Sequence, residues 1–297
     1  MATVQDYSNN VRPTWCPGCG DYAIWNALKR AFAGAGMEPH QVIMVTGIGQ
    51  GSKTPDYMNI TGFNGLHGRP LPVAAGIKLA NHDLKVVVVH GDGDGYSEGG
   101  NHFLHAVRRN ISMVDIVQNN HVYALTKGQA SPTTSKGIKT STSPVGVMDV
   151  PINPLTLALS QGATFVARSY SPNINHMMEM ITAALNHRGY ALLDIQQVCV
   201  TYNPAMSNEW YREHVYDLAE QGHDPSDMEA AMARAIEFPG GERIPVGVFY
   251  QDETVPSYEE QLSVLETGPL VHQPLRTRPE EDYLQLLEEF MTDPIQR

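Results

Sequence analysis

The sequence predicts an α/β fold, a mostly parallel sheet with helices on both faces, from three observations. The run Lys85-Val86-Val87-Val88-Val89-His90 is β-branched without polar alternation, which suits a strand buried on both faces, and it stops in Gly91-Asp92-Gly93-Asp94-Gly95. Strand-like and helix-like patterns alternate over most of the chain, the signature of strand-helix-strand units. With 297 residues, 42% of them hydrophobic, the chain can bury a full core as one large domain or two smaller ones.

Each element follows in order. Trp15-Cys16-Pro17-Gly18-Cys19-Gly20 precedes a helix whose apolar residues Ile24, Leu28, Ala31 and Phe32 share one face, with Asp21 as the expected N-cap. A strand over 41–46 runs into Gly47-Ile48-Gly49-Gln50-Gly51-Ser52-Lys53-Thr54, which approaches a phosphate-binding P-loop. Ser52 stands where that motif's last glycine belongs, and Pro55 and an irregular stretch follow where a helix must open, so the nucleotide reading is set aside. Leu66-His67-Gly68-Arg69 then turns into a helix of small apolar residues over 70–80, whose N-terminus could face an anion. By itself, His67 reads equally well as a surface histidine.

After the valine strand come a helix marked by Phe103, Leu104 and Val107, a strand over 113–117, and Gln118-Asn119-Asn120-His121-Val122-Tyr123. Residues 126–145 are Gly, Ser, Thr, Pro and Lys with hardly an apolar side chain; so long a structureless segment is usually functional or disordered, and its amides, hydroxyls and Lys127 would suit an anionic ligand. A helix over 154–161, a strand over 164–168, a helix over 172–187 with Ile174, Met178, Ile181 and Leu185 on one face, and a strand over 190–198 complete the alternation. The methionines of that last helix read as packing. Beyond Pro204 the chain becomes charged and Gly- and Pro-containing, with a short helix over 227–236 and an amphipathic one over 279–291. The expected organisation is a ligand-binding domain over 1–205 and a C-terminal extension over 206–297 that wraps the domain or a partner.

Composition excludes several classes. A formal charge of −12 argues against a nucleic-acid surface. No segment reaches the ~20 apolar residues of a membrane helix, and residues 1–12 are polar without a secretory apolar run. The expectation is a cytoplasmic protein. Cys16, Cys19 and Cys199 are too few and odd in number for a disulfide framework. The Cys-x-x-Cys has three readings: a redox dithiol, half of a zinc site, or part of an iron-sulfur site. Redox dithiols follow a strand directly and none precedes Cys16, while zinc needs two more ligands at short spacing and none is there.

One strand-helix-strand unit separates Gly91-Asp92-Gly93 from Asn120, so a carboxylate and an amide arrive side by side at neighbouring strand ends, where open α/β sheets bind ligands. Hard oxygen ligands so placed suit Mg²⁺ shared with a diphosphate. The pattern resembles the thiamine-diphosphate signature, a Gly-Asp-Gly followed after such a unit by an asparagine.

Taken together, Trp15 to Gly20, Leu66-His67-Gly68-Arg69, Gly91-Asp92-Gly93-Asp94, His105-Ala106-Val107-Arg108-Arg109-Asn110 and Thr126-Lys127-Gly128-Gln129-Ala130-Ser131-Pro132-Thr133-Thr134 resemble, in order and spacing, the β subunit of 2-oxoacid:ferredoxin oxidoreductases. The likeness runs from about residue 12 to 205 and resumes weakly at Pro245-Val246-Gly247-Val248-Phe249-Tyr250. What it implies is a thiamine-diphosphate fold and an enzyme that cleaves a 2-oxoacid, passes the acyl group to coenzyme A and sends electrons through a [4Fe-4S] cluster to ferredoxin. The resemblance gives Asp92, Asn120 and the Val122 carbonyl to Mg²⁺ and places Gly91, Gly93, Asp94, Leu125 and Thr126 at the cofactor. It sets His67 beside the cofactor and Lys53 at its substrate end, as candidate catalytic residues. Cys16, Cys19 and Cys199 match three cluster ligands, and Gln50 stands where the family carries the fourth cysteine. A separate α subunit supplies the glutamate facing the aminopyrimidine ring, so αβ pairs, often α₂β₂, are expected. Lys53 and the Leu125-Thr126-Lys127-Gly128-Gln129 sequence lean toward 2-oxoglutarate; a pyruvate-specific member and a non-catalytic zinc or iron-sulfur docking module are the alternatives.

Overall fold

Strands form where the β-branched runs lie. In the computed structural model, which describes residues 2–240, 243–274 and 280–292, they are β1 (Val42–Thr46), β2 (Thr61–Asn64), β3 (Lys85–Gly91), β4 (Met113–Asn119), a short hairpin β5 (Val122–Tyr123) and β6 (Gln129–Ala130), then β7 (Phe165–Tyr170), β8 (Tyr190–Gln196), β9 (Val215–Asp217) and β10 (Ile244–Gln251). Eight of them make one sheet in the order β2-β1-β3-β4-β8-β7-β10-β9. Every pairing is parallel except β10 against β7. The fold class predicted from the sequence is the one observed.

Helices α1 (Asp21–Gly34), α2 (Pro70–Ala80), α3 (Gly100–Arg109), α4 (Pro154–Ser160), α5 (Ile174–Asn186), α6 (Asn208–His214) and α7 (Met228–Ala235) flank the strands. The valine run of β3 explains the layering. Val86 and Val88 enter the core shared with α2, α3 and α4, whereas Val87 and Val89 enter the core shared with α1 and α5. All four are fully buried, each contributing about 1.5–3 kcal/mol. Met177 and Ile181 of α5 and the predicted face of α1 fill the second core.

Two local expectations need correction. Asp21 is the first residue of α1 rather than its cap; Gly20 takes the cap position because its N–H is held by the Val198 carbonyl at 3.0 Å. The stretch expected to be irregular contains β2, an exposed edge strand whose Thr-Gly-Phe-Asn sequence gives no burial pattern. β9 and β10 lie beyond residue 205, yet they continue the same sheet. The final helix spans Glu280–Thr292; Pro279, its expected start, lies outside the described residues. No helix among the described residues is long and apolar enough to cross a membrane.

Candidate active site

β1 and β3 are neighbours, while β2 and β4 leave to opposite sides, so the chain reverses direction across the sheet there. The carboxyl ends of β1, β3 and β4 open into one cavity. Gly91, Asp92, Gly93, Asp94, Asn120, Val122, Leu125, Thr126 and His67 all line it. Lys53 does not. It is half-buried on the 3₁₀ helix Gly51–Tyr57, which forms the flank behind Gly51.

Asp94 ties three loops together. Its Oδ1 accepts from the Gly68 N–H at 2.8 Å, the Ile48 N–H at 3.1 Å and His67 Nδ1 at 2.5 Å. Its Oδ2 faces the fully buried His90, whose Nδ1 is 3.6 Å away and whose Nε2 contacts Asp115 at 2.7 Å. Burial alone would strip the proton from His90; Asp115 and Asp94 reverse that and hold its pKa up at about 10. For Asp94, burial pushes upward but His90 and the two amides prevail, keeping the carboxyl below its usual range. A buried charge survives only when paired in this way.

Asp92 is buried, and desolvation raises its pKa against the opposing pull of His121. The Thr133 hydroxyl lies 2.6 Å from Asp92 and 2.9 Å from Asn119 Oδ1. Asn119 donates in turn to Asp194 at 3.0 Å, which also receives Tyr96 and Gln196 and stands 3.6 Å from Arg168. The cavity floor is thus a buried polar network anchored under the sheet. His121 adopts a left-handed backbone with φ of 63°, a conformation that costs a non-glycine residue about 1–3 kcal/mol. That turn sets Asn120 and Val122 on the cavity wall to either side of it.

Glycine is required at two points. A Cβ on Gly93 would lie 2.1 Å from the Tyr123 ring, and one on Gly68, whose φ is 72°, would lie 2.4 Å from the Glu98 carbonyl carbon. The residues present suit a bound polar group. Buried polar atoms are normally partnered, yet both side-chain polar atoms of Gln118, on the cavity wall, and Asp94 Oδ2 make no hydrogen bond. Asp92 and Asn120 bring a carboxylate and an amide to one wall, oxygen donors of the kind a hard cation takes.

A second pocket lies against the first. Cys16, Cys19 and Cys199 line it, all unpaired, together with Trp15, Asp21 and Gln50. Gln50, Asn120 and Ala124 line both pockets and form the wall between them. Cys19 Sγ donates to Asp21 at 3.1 Å, and Thr201 contacts Cys16 Sγ at 3.4 Å. Burial and Asp21 push the Cys19 thiol well up, and burial lifts Asp21 to about 6. Gln50 Oε1 is buried without a partner. Among the described residues no three His, Cys, Asp or Glu side chains stand close enough to hold a single ion.

Sequence reasoning missed Ile48, Gln118, Tyr123, Ala124 and Gln197 on the cavity wall, and Thr133 against Asp92. Thr133 carried a signal, since it sits in the hydroxyl-rich 126–145 segment. Gln118 and Gln197 carried none that sets them apart from the polar neighbours Asn119, Asn120 and Gln196 at the same strand ends.

Residues 40–195 match the family described as thiamine pyrophosphate enzyme, C-terminal TPP binding domain, and residues 199–267 match the C-terminal family of the pyruvate ferredoxin oxidoreductase beta subunit. The chain is 44% identical to the 2-oxoacid:ferredoxin oxidoreductase 1 subunit beta of Aeropyrum pernix over 88% of its own length and 84% of that protein. It is also 44% identical to the 2-oxoglutarate oxidoreductase subunit KorB of Mycobacterium tuberculosis, over 67% of this chain and 53% of that one. Among solved structures it superposes, with a TM-score of 0.87, 35% identity and 96% of both chains covered, on the 2-oxoglutarate:ferredoxin oxidoreductase from Magnetococcus marinus with 2-oxoglutarate, coenzyme A and succinyl-CoA bound. These likenesses span both pockets and most of the sheet, and the chain belongs to the 2-oxoacid:ferredoxin oxidoreductases as a β subunit.

Proposed function

We propose that this β subunit serves the oxidative decarboxylation of a 2-oxoacid, 2-oxoglutarate in first place, to acyl-coenzyme A and CO₂. The observation that carries the reading is the meeting of Asp92, Asn120 and Val122 with the His67–Asp94 pair in one cavity at the sheet's switch point. Asp92, the Asn120 side chain and the Val122 carbonyl would hold Mg²⁺, and through it the diphosphate of thiamine diphosphate, against Gly91, Gly93, Leu125 and Thr126. When bound, thiamine supplies an electron sink for decarboxylation.

The chain's own residues do the positioning. His90 keeps Asp94 ionised, and Asp94 accepts a hydrogen bond from His67 Nδ1. That leaves Nε2 as the ring nitrogen free to meet a substrate group. Tyr123 and Leu125 give the cavity wall an aromatic and an apolar side chain. The site would be completed by an α subunit, the same one that contacts coenzyme A. On this reading residues 1–205 form the cofactor domain and 206–297 an extension over the domain or its partner.

Cys16, Cys19 and Cys199 would hold a [4Fe-4S] cluster that passes electrons singly to ferredoxin. The wall it shares with the cofactor cavity, Gln50, Asn120 and Ala124, supports a short electron path. Lys53 is proposed as the cation for the distal carboxylate of 2-oxoglutarate. The names of the KorB relatives and of the Magnetococcus enzyme support that substrate; the match of 199–267 to a pyruvate family favours pyruvate as the second reading. The αβ complex, assayed anaerobically with coenzyme A and a viologen dye, is expected to turn over 2-oxoglutarate with the higher kcat/KM. A higher value for pyruvate would reverse the assignment.

A further inference from the structure

We infer that Gln50 supplies, through Oε1, the fourth ligand of the group held by Cys16, Cys19 and Cys199, so that this group is bound by three thiolates and one amide oxygen. The inference rests on the cluster reading above and names the corner that the cysteines leave open.

Four observations carry it. Gln50 lines the same pocket as the three cysteines but arrives from a separate element, the loop after β1. Its backbone is fixed there, because the Trp15 indole N–H donates to the Gln50 carbonyl at 3.0 Å and Trp15 sits beside Cys16. Its Oε1 is buried and has no hydrogen-bond partner, a cost of about 1–3 kcal/mol that a bound metal would remove. Of the other oxygen-bearing side chains there, Asp21 is only two residues from Cys19 and already accepts from its Sγ at 3.1 Å, the Thr201 hydroxyl contacts Cys16 Sγ at 3.4 Å, and Asn120 Oδ1 accepts from the Val122 N–H at 3.1 Å.

The position has a chemical consequence. An amide oxygen is neutral and a poorer ligand for iron than thiolate, so the iron at that corner exchanges more readily and the cluster carries one negative charge fewer. Because Gln50 also lines the cofactor cavity, the iron it would ligate would be the one on the cavity side. One-electron oxidation by a chemical oxidant such as ferricyanide then has an exit: [4Fe-4S]²⁺ gives [3Fe-4S]⁺, Fe²⁺ and one electron, with the three cysteine ligands retained. Added Fe²⁺ and a reductant reverse it.

The test compares the αβ holoenzyme with Gln50→Cys, Gln50→Ala and Asp21→Asn, purified anaerobically and checked for bound thiamine diphosphate as a measure of folding. Iron, acid-labile sulfide and the EPR spectrum are followed during titration with ferricyanide. The natural protein and Asp21→Asn are expected to develop the three-iron EPR signal and to lose it when Fe²⁺ and dithionite are added. Gln50→Cys is expected to resist iron loss and to show a lower reduction potential, and Gln50→Ala to lose iron fastest. If the natural protein resists as well as Gln50→Cys, or if Asp21→Asn rather than Gln50→Ala alters lability, the assignment to Gln50 is overturned while the cluster stands. Absence of iron and sulfide from both the natural protein and Gln50→Cys overturns the cluster itself.

Discussion

His67 Nδ1 lies 2.5 Å from Asp94 Oδ1, and the same oxygen receives the N–H groups of Gly68 and Ile48. One carboxylate therefore fixes both the histidine and the two loops that wall the cavity. Its other oxygen answers the buried His90.

Replacing Asp94 with Ala removes one member of a fully buried charge pair and orphans the buried Gly68 N–H. The expected loss is about 3–5 kcal/mol of folding stability, read as a lowered urea midpoint, with weakened thiamine diphosphate binding. An unchanged midpoint would show that the loops are held by something else.

Gly93→Ala places a methyl group 2.1 Å from the Tyr123 ring in the present arrangement. The ring is the movable partner, so it must swing into the cavity or out of it. Thiamine diphosphate affinity is expected to fall at least about tenfold, on the order of 1.4 kcal/mol, with little change in thermal midpoint. Gly93→Ala with Tyr123→Ala is expected to recover part of the loss, and isothermal titration with the cofactor measures both.

A pH dependence follows from His187, which is buried with Nε2 2.9 Å from the Thr164 hydroxyl and Nδ1 without a partner. Burial outweighs the nearby charges and lowers its pKa to about 4. The unfolded chain therefore takes up a proton near the ordinary value while the folded chain does not. Stability is lost as pH falls from about 6.5 towards 4, by at most about 1.4 kcal/mol per unit. His187→Gln is expected to flatten that limb of the curve; denaturant unfolding at a series of pH values reads it, and parallel curves would assign the acid limb to other groups.

If Lys53 meets the distal carboxylate, Lys53→Met raises KM for 2-oxoglutarate by the loss of one charge-assisted hydrogen bond, roughly 1.5–3 kcal/mol. Turnover of 2-oxobutyrate would change little. Equal losses on both substrates would place Lys53 in the support of the Gly51–Tyr57 helix instead, as its position off the cavity wall allows.

What the sequence made legible was what rests on period and spacing. The valines of β3 announce a strand buried on both faces, and the interval from Asp92 to Asn120 fits the strand-helix-strand unit that brings them into one cavity. The hidden part is polar. His90, Asp115, Arg168 and Asp194 sit inside strands with at most 1% exposure, where a single sequence shows only interruptions of an apolar run; their partners come from other strands and become visible only in the sheet. β2 was illegible for the opposite reason, since an exposed edge strand needs no apolar pattern. Asp21 reads as a helix cap by type, but the Val198 carbonyl claims the preceding amide and turns Asp21 inward.

The central claim is that the cavity at the ends of β3 and β4 holds thiamine diphosphate through Asp92. The most direct measurement is the thiamine diphosphate content of the purified αβ complex, compared between the natural protein and Asp92→Ala, with folding verified by the urea midpoint. The account predicts one cofactor per β subunit in the natural protein and loss of both cofactor and Mg²⁺ in the variant. A folded Asp92→Ala complex that keeps its full thiamine diphosphate, or a natural complex that contains none, would contradict it.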